Sequence, residues 1–354
     1  MKYLIIIFMT MNAIAVGSVD IRTKIGPTFM PPILKNDTLY FLSTTGVLFN
    51  SKKDFSELKI VAKASAPSMS ALSEYKNYLV FGDGLHTTKR TKLYFFNTET
   101  NKIEKELEFN GHIERAPLIN EDYAYVGLGE GGVSKVDLKE FKIIKNLNGH
   151  KKLKFHIDST PVKYKSNICA ASQYHSKGIV CFNRNMEFVK FIPTKYSPKS
   201  VISLKNNKLF GFATEGSLMS AVWDVKSQFY VIDLDQLKIT VSKELRGFTF
   251  FRPLELENDE FAFGISTGDL LTINISTGKI GFIGQFTEPF ISNPFNYKKS
   301  ICFIGIMGKL LCYKKASDRY NISIEKRYYE SPIGTIKTIG NKVFLPSRIG
   351  YFTL

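Results

Sequence analysis

Short apolar runs separated by polar or glycine-rich turns recur along the whole chain, and the stretch from Gly111 to Lys145 shows their order most completely. An apolar segment (Ala116 to Asn120) follows a His-Ile-Glu-Arg loop. A second segment (Tyr123 to Gly127) enters the turn Gly127 to Gly132, and two more follow at Val133 to Asp137 and Phe141 to Lys145. Runs of this length between turn residues predict strands rather than helices. Four such strands make a small sheet that cannot bury its own face, so the pattern requires neighbours of the same kind.

The next stretch supplies one. His156-Ile157-Asp158-Ser159-Thr160-Pro161 answers His112-Ile113-Glu114-Arg115-Ala116-Pro117 at a spacing of 44 (156 − 112). Across the chain the pattern predicts eight second strands: Thr38 to Leu42, Tyr78 to Gly82, Tyr123 to Gly127, Asn167 to Ala171, Lys208 to Ala213, Glu260 to Gly264, Ser300 to Ile304 and Lys342 to Leu345. Their starts differ by 40, 45, 44, 41, 52, 40 and 42 residues, the length of one four-stranded propeller blade. Most units carry a proline in the apolar strand upstream, as at Pro117, Pro161 and Pro253, where a residue without an N–H favours a strand start or an edge. The fold expected is all-β, an eight-bladed β-propeller. Leu354 falls just after the third strand of blade eight, while Val19 to Lys24 precede blade one with nothing local to pair with. Pairing of this N-terminal strand with the last blade is therefore expected to close the ring.

Lys2, the apolar run from Leu4 to Met9 and the small-residue end Ala13-Ile14-Ala15 read as a secretory signal peptide over residues 1–15, too short to span a bilayer. Residues 16–354 are then one propeller domain, with no lipid-anchoring cysteine at the cleavage site and no later stretch apolar enough to be transmembrane. The expected location is the periplasm or outside the cell. The four cysteines fit this. Cys169 and Cys181 flank one turn and Cys302 and Cys312 another, at even separations of 12 and 10, which sets each pair on one sheet face and opposite one another. In an oxidising compartment the expected bridges are Cys169–Cys181 and Cys302–Cys312.

The net charge of +16 comes from lysines scattered through turns and outer strands, as at Lys151-Lys152 and Lys298-Lys299, without a long basic run. This is a solvated face that also suits an anionic envelope component. Neither a helical recognition motif nor an aromatic-basic RNA signature is present, so nucleic acid is not an expected partner.

The prolines of the first strands, the glycine turns, the Asn or Asp ending third strands (Asn97, Asp137, Asn183, Asp233, Asn274) and Thr277-Gly278-Lys279 together give the chain a resemblance to the PQQ-type β-propeller repeat family. That family includes quinoprotein alcohol dehydrogenases and outer-membrane assembly propeller lipoproteins. Quinoprotein dehydrogenases are longer and tryptophan-rich in each repeat, whereas Trp223 is the only tryptophan here, which argues against a bound quinone. Trp223-Asp224 occurs once and is read as a chance match to the WD signature. What the resemblance implies is the propeller fold; the partner expected is a protein or envelope component, and the propeller is expected to be a monomer.

All five histidines, His86, His112, His150, His156 and His175, fall in blades two to four. The propeller model puts them on one face of the ring, in loops between second and third strands or in leads into first strands. Period-two geometry aims His112 with Glu114, and His156 with Asp158, to a common side. Candidate binding residues are His86, His112, Glu114, Arg115, Glu130, His156, Asp158 and His175. The cluster admits a hydrogen-bond network between blades, a ligand site with Arg115, or a divalent metal on His112, Glu114, His156 and Asp158. No other cofactor is expected. The leading functional expectation is an exported, non-catalytic binding or assembly scaffold; the alternative is a metal-dependent or quinoprotein-like enzyme using the same cluster.

Overall fold

The computed structural model describes residues 25–354 apart from 55–56, 217–223, 291, 318, 329–331 and 349. The expected leader, the Val19 to Lys24 strand and Trp223 lie outside the described residues.

The eight second strands form where the apolar pattern puts them, as Thr38–Leu42, Tyr78–Gly82, Tyr123–Gly127, Asn167–Ser172, Lys208–Thr214, Glu260–Gly264, Ser300–Ile304 and Lys342–Ser347. Each sits inside an antiparallel sheet whose strands follow chain order. Seven sheets have four strands; blade eight has three among the described residues. The molecule is an eight-bladed β-propeller. In blade three the first strand is Leu118–Asn120, shorter than the pattern implied because Pro117 cannot donate to the ladder, and the outer strand runs on to Leu147. One element is new: a two-stranded hairpin, Gly149–His150 with Leu153–Lys154, between blades three and four.

Third strands end on the Asn or Asp read from the sequence, and the reason is local. Asp137 Oδ1 accepts the N–H groups of Lys139 and Glu140 at 2.8 and 3.0 Å, and Asn97, Asn183, Asp233 and Asn274 each make the same kind of turn. Such side-chain-to-backbone bonds replace a backbone turn and reverse the chain into the outer strand.

The core is distributed around the ring. Eight apolar clusters each join neighbouring blades; Phe95 and Val126 join blades two and three, and Tyr125 and Phe182 join three and four. The last cluster packs Ile25, Leu39 and Phe41 against Phe344 and Tyr351, so blade eight meets blade one. Hydrogen bonds reinforce this contact: the Thr28 N–H donates to Ser347 O at 3.0 Å, the Thr335 N–H to Phe29 O at 2.9 Å, and the Tyr351 hydroxyl to Met30 O.

Both expected disulfides are present. Cys169 pairs directly with Cys181 in blade four and Cys302 with Cys312 in blade seven, each joining second and third strands, with Cα atoms 4.1 and 4.0 Å apart. Among the described residues no cysteine is free. Oxidised protein should weigh four protons less than the reduced chain in an intact-mass measurement. Replacing either pair by alanine should lower unfolding stability in denaturant titration by up to about 3 kcal/mol, the chain-entropy value for so short a loop.

Candidate functional site

The leads into first strands and the turns between second and third strands meet at one mouth of the ring. There the lead into blade three is pinned by Ile113, which is fully buried and donates its N–H to Asp83 O at 3.2 Å. Its side chain occupies the space over Gly82, where a Cβ would come within 2.3 Å of Ile113. Blade four repeats the arrangement. Ile157 is fully buried over Gly127 and exchanges backbone bonds with Gly129 at 2.8 and 3.0 Å. With the isoleucines held between blades, their neighbours on each side face the mouth.

His112 Nε2 lies 2.9 Å from Asp158 Oδ1, and His156 Nε2 lies 2.8 Å from Asp158 Oδ2. One carboxylate thus bridges two imidazoles from adjacent blades. Both rings are buried, and the Asp158 side chain is only 8% exposed. Glu114 Oε1 stands 3.9 Å from His112 Nε2 and 4.0 Å from His86 Nδ1. His86 comes from the second-to-third turn of blade two and is half exposed, with its ring 5.1 Å from His112 and 5.3 Å from His156.

The two carboxylates are driven in opposite directions. Burial opposes ionisation of Asp158, but hydrogen bonds from His112 and His156, with their charge, hold it well below the usual carboxylate range. Burial together with the Asp158 charge raises Glu114 above its ordinary value. Burial disfavours the His112 cation, yet the hydrogen bond and charge of Asp158, helped by Glu114 and Glu130, raise its pKa overall. Burial lowers the Arg115 pKa against the pull of Glu114 and Asp158; its guanidinium reaches across the mouth to within 4.0 Å of the Met30 sulfur in blade one. The arrangement can hold a cation, pass a proton, or lock blades two, three and four together.

No protein-family model matches the chain, and no curated protein matches its sequence. Among solved structures it is similar to BamB from Moraxella catarrhalis, at TM-score 0.67 and 13% identity over 92% of this chain and 95% of that one. It is equally similar to the computationally designed Ika8 protein, at TM-score 0.67 and 10% identity over 93% and 96%. The likeness is one of fold. The PQQ-type character of the repeats remains a resemblance.

Of the eight residues singled out in the sequence, five converge: His86, His112, Glu114, His156 and Asp158, with Arg115 alongside. Glu130 and His175 do not join them. They line a groove of about 560 Å³ against the extra hairpin, together with His150 and Lys151. His150 also leaves the predicted histidine group, since the hairpin stacks its ring on Phe188 of blade four's outer strand at 4.0 Å. Sequence spacing could not reveal this, because the hairpin redirects the lead that carries His150.

Three contributors escaped the sequence reading. Tyr174, rather than the adjacent His175, meets the cluster, with its ring 4.6 Å from His156 and 5.5 Å from His86. It adopts a left-handed backbone (φ 57°), and the Lys199 ammonium lies over its ring, 5.5 Å from the centroid. The third is Gly129. It too is left-handed (φ 54°), and a Cβ there would fall 2.1 Å from His112 Cε1. The glycine-rich turn Gly127 to Gly132 is the clearance for this imidazole; the run of glycines itself was the available signal.

Gly129→Ala should therefore cost more than left-handed strain alone. Gly340 (φ 61°), with nothing within 4 Å of its virtual Cβ, is the matched control. In denaturant unfolding, Gly340→Ala should cost about 1 kcal/mol and Gly129→Ala roughly 1–3 kcal/mol more from overpacking. Equal costs would mean that His112 is not held where the structure has it.

Proposed function

We propose that this chain is an exported, non-catalytic propeller of the cell envelope whose mouth is the seat for a protein partner, with His86, His112, Glu114, Arg115, His156 and Asp158 forming the polar floor of that seat. The observation that carries the reading is Tyr174. An aromatic side chain 43% exposed lies over this cluster, its ring 4.6 Å from His156 and 5.5 Å from His86. Met307, 61% exposed in the second-to-third turn of blade seven, offers an apolar contact on the same face across the ring. Exposed aromatic and methionine anchors around a polar centre are the composition of binding surfaces.

Three further observations support the reading. The fold likeness to BamB runs nearly the full length of both chains, in keeping with the resemblance of the repeats to outer-membrane assembly propellers. Two hairpin disulfides suit an oxidising compartment. No helix among the described residues is long and apolar enough to cross a membrane.

Affinity capture from a cell-envelope extract tests this. Wild-type protein should retain a defined partner in stoichiometric amount through size-exclusion chromatography. The double variant Tyr174→Ala/Met307→Ala, folded with unchanged melting temperature, should lose it, the affinity falling at least tenfold for two anchors each contributing about 1–2 kcal/mol. Retention of the partner by the double variant would remove the mouth as its seat, and turnover of a small molecule without any partner would overturn the scaffold reading.

A further inference from the structure

Four side chains from three blades point potential metal-binding atoms at one another. His86, His112, His156 and Asp158 each contribute one such atom, and all four atoms lie within 4.8 Å of one another. We propose that they form a site for one divalent transition-metal ion of the Zn²⁺ type, which clamps blades two, three and four together at the mouth. The ion would occupy the floor of the proposed partner seat, but its test reads metal uptake and does not require a partner.

Chemistry selects the ion. Three imidazoles and one carboxylate make a nitrogen-rich, borderline donor set, whereas Mg²⁺ and Ca²⁺ require mainly oxygen ligands. A tetrahedral zinc site with bonds of about 2.0–2.1 Å separates neighbouring ligand atoms by roughly 3.3 Å. The Nε2 atoms of His112 and His156 each contact a different Asp158 oxygen, at 2.9 and 2.8 Å, and all four donor atoms lie within 4.8 Å of one another, so closing them around an ion takes shifts of up to about 1.5 Å. In place of two N–H···O contacts, the cation takes both Nε2 lone pairs and one Asp158 oxygen. His86 closes the fourth position from the solvent side.

The surroundings fit this assignment. The rings of His86, His112 and His156 lie 5.1, 5.3 and 5.5 Å apart, all tilted or edge-on to one another rather than stacked. His112 and His156 are buried and held by backbone bonds at their own N–H groups, to Leu128 O and Ser172 Oγ at 3.3 Å each. Two ligands are thus fixed before the ion arrives. Glu114, 3.9–4.0 Å from two of the imidazoles, is an outer carboxylate rather than a ligand. Here the structure departs from the sequence expectation, which had Glu114 in the metal set and His86 outside it. A full set of four protein ligands marks a structural ion; a catalytic zinc keeps a position open.

The test uses the full chain without a polyhistidine tag, stripped with chelator and titrated with Co²⁺ and then Zn²⁺. Wild-type protein should take up one equivalent of Co²⁺, develop the intense visible absorption of tetrahedral coordination, and lose it as Zn²⁺ displaces the cobalt. Thermal unfolding should move upward with Zn²⁺. His86→Ala removes a half-exposed ligand and leaves the His112–Asp158–His156 contacts, so it should fold as wild type while metal affinity falls roughly 100-fold or more. Glu114→Gln should keep the one-equivalent stoichiometry and the tetrahedral spectrum, with affinity reduced by roughly 10- to 100-fold, less than for His86→Ala. Asp158→Asn should abolish the spectrum. Absence of the cobalt absorption in wild type, or wild-type affinity in His86→Ala, would overturn the proposal, and loss of the tetrahedral spectrum in Glu114→Gln would replace this ligand set.

Discussion

Everything at the mouth depends on how one blade's lead crosses the end of its neighbour's second strand. Isoleucine fills the space over a glycine in two successive repeats, Ile113 over Gly82 and Ile157 over Gly127, and Phe290 takes the same place over Gly264 between blades six and seven. A Cβ at Gly82 would meet the Ile113 side chain at 2.3 Å, one at Gly127 the Ile157 carbonyl oxygen at 2.8 Å, and one at Gly264 the Phe290 ring at 3.0 Å. The contact buries an apolar group, sets the blade-to-blade angle and fixes the rotation of the lead. Each residue flanking the anchor is then committed to the axis of the ring, whatever its chemistry.

That commitment brings ionisable groups into a space with little water, and the ring resolves the cost in two ways. Asp83, buried in blade two, is saturated by neutral donors: Ser65 Oγ at 3.1 Å, Ala66 N at 3.1 Å, Thr91 Oγ1 at 2.9 Å, Lys92 N at 2.8 Å and the Tyr94 hydroxyl at 2.6 Å. A carboxylate so enclosed has no capacity left and is a fixed structural node. Asp158 instead has titratable partners on both oxygens and a second carboxylate nearby. Similar burial, with different partners, separates a carboxylate closed by neutral donors from one set between two imidazoles.

The two halves of the mouth differ in the same physical sense. Blades two to four present imidazoles and carboxylates. Toward blades five to eight, Phe248, Phe250 and Phe251 of the lead into blade six pack with Ile333, Phe29, Val225 and Ile306 into an apolar cluster. Leads from non-adjacent blades meet in it, including Phe29 before blade one and Ile333 before blade eight. The apolar side thus consolidates the ring where its ends meet, and leaves the polar side as the part of the mouth with chemistry to offer.

The sequence by itself determined the strand order, the blade count and both disulfides, because these rest on period-two alternation, a repeat of about 40–45 residues and even cysteine spacing, all carried by near neighbours in the chain. It also identified His112, Glu114, His156 and Asp158 as facing one side, since a 44-residue echo preserves side-chain direction between adjacent blades. Only the tertiary structure decided which neighbours join them. Of the loop candidates, His86 stays with the cluster while Glu130 and His175 do not, because loop paths between blades obey no period. The hairpin at Gly149–Lys154 draws His150 away onto Phe188. A left-handed turn presents Tyr174 in place of the residue beside it. Direction along a strand is a local property that spacing encodes; the position of a loop side chain depends on contacts across blades some 40 to 70 residues distant, as His86 from His156, and becomes definite only when the ring is assembled.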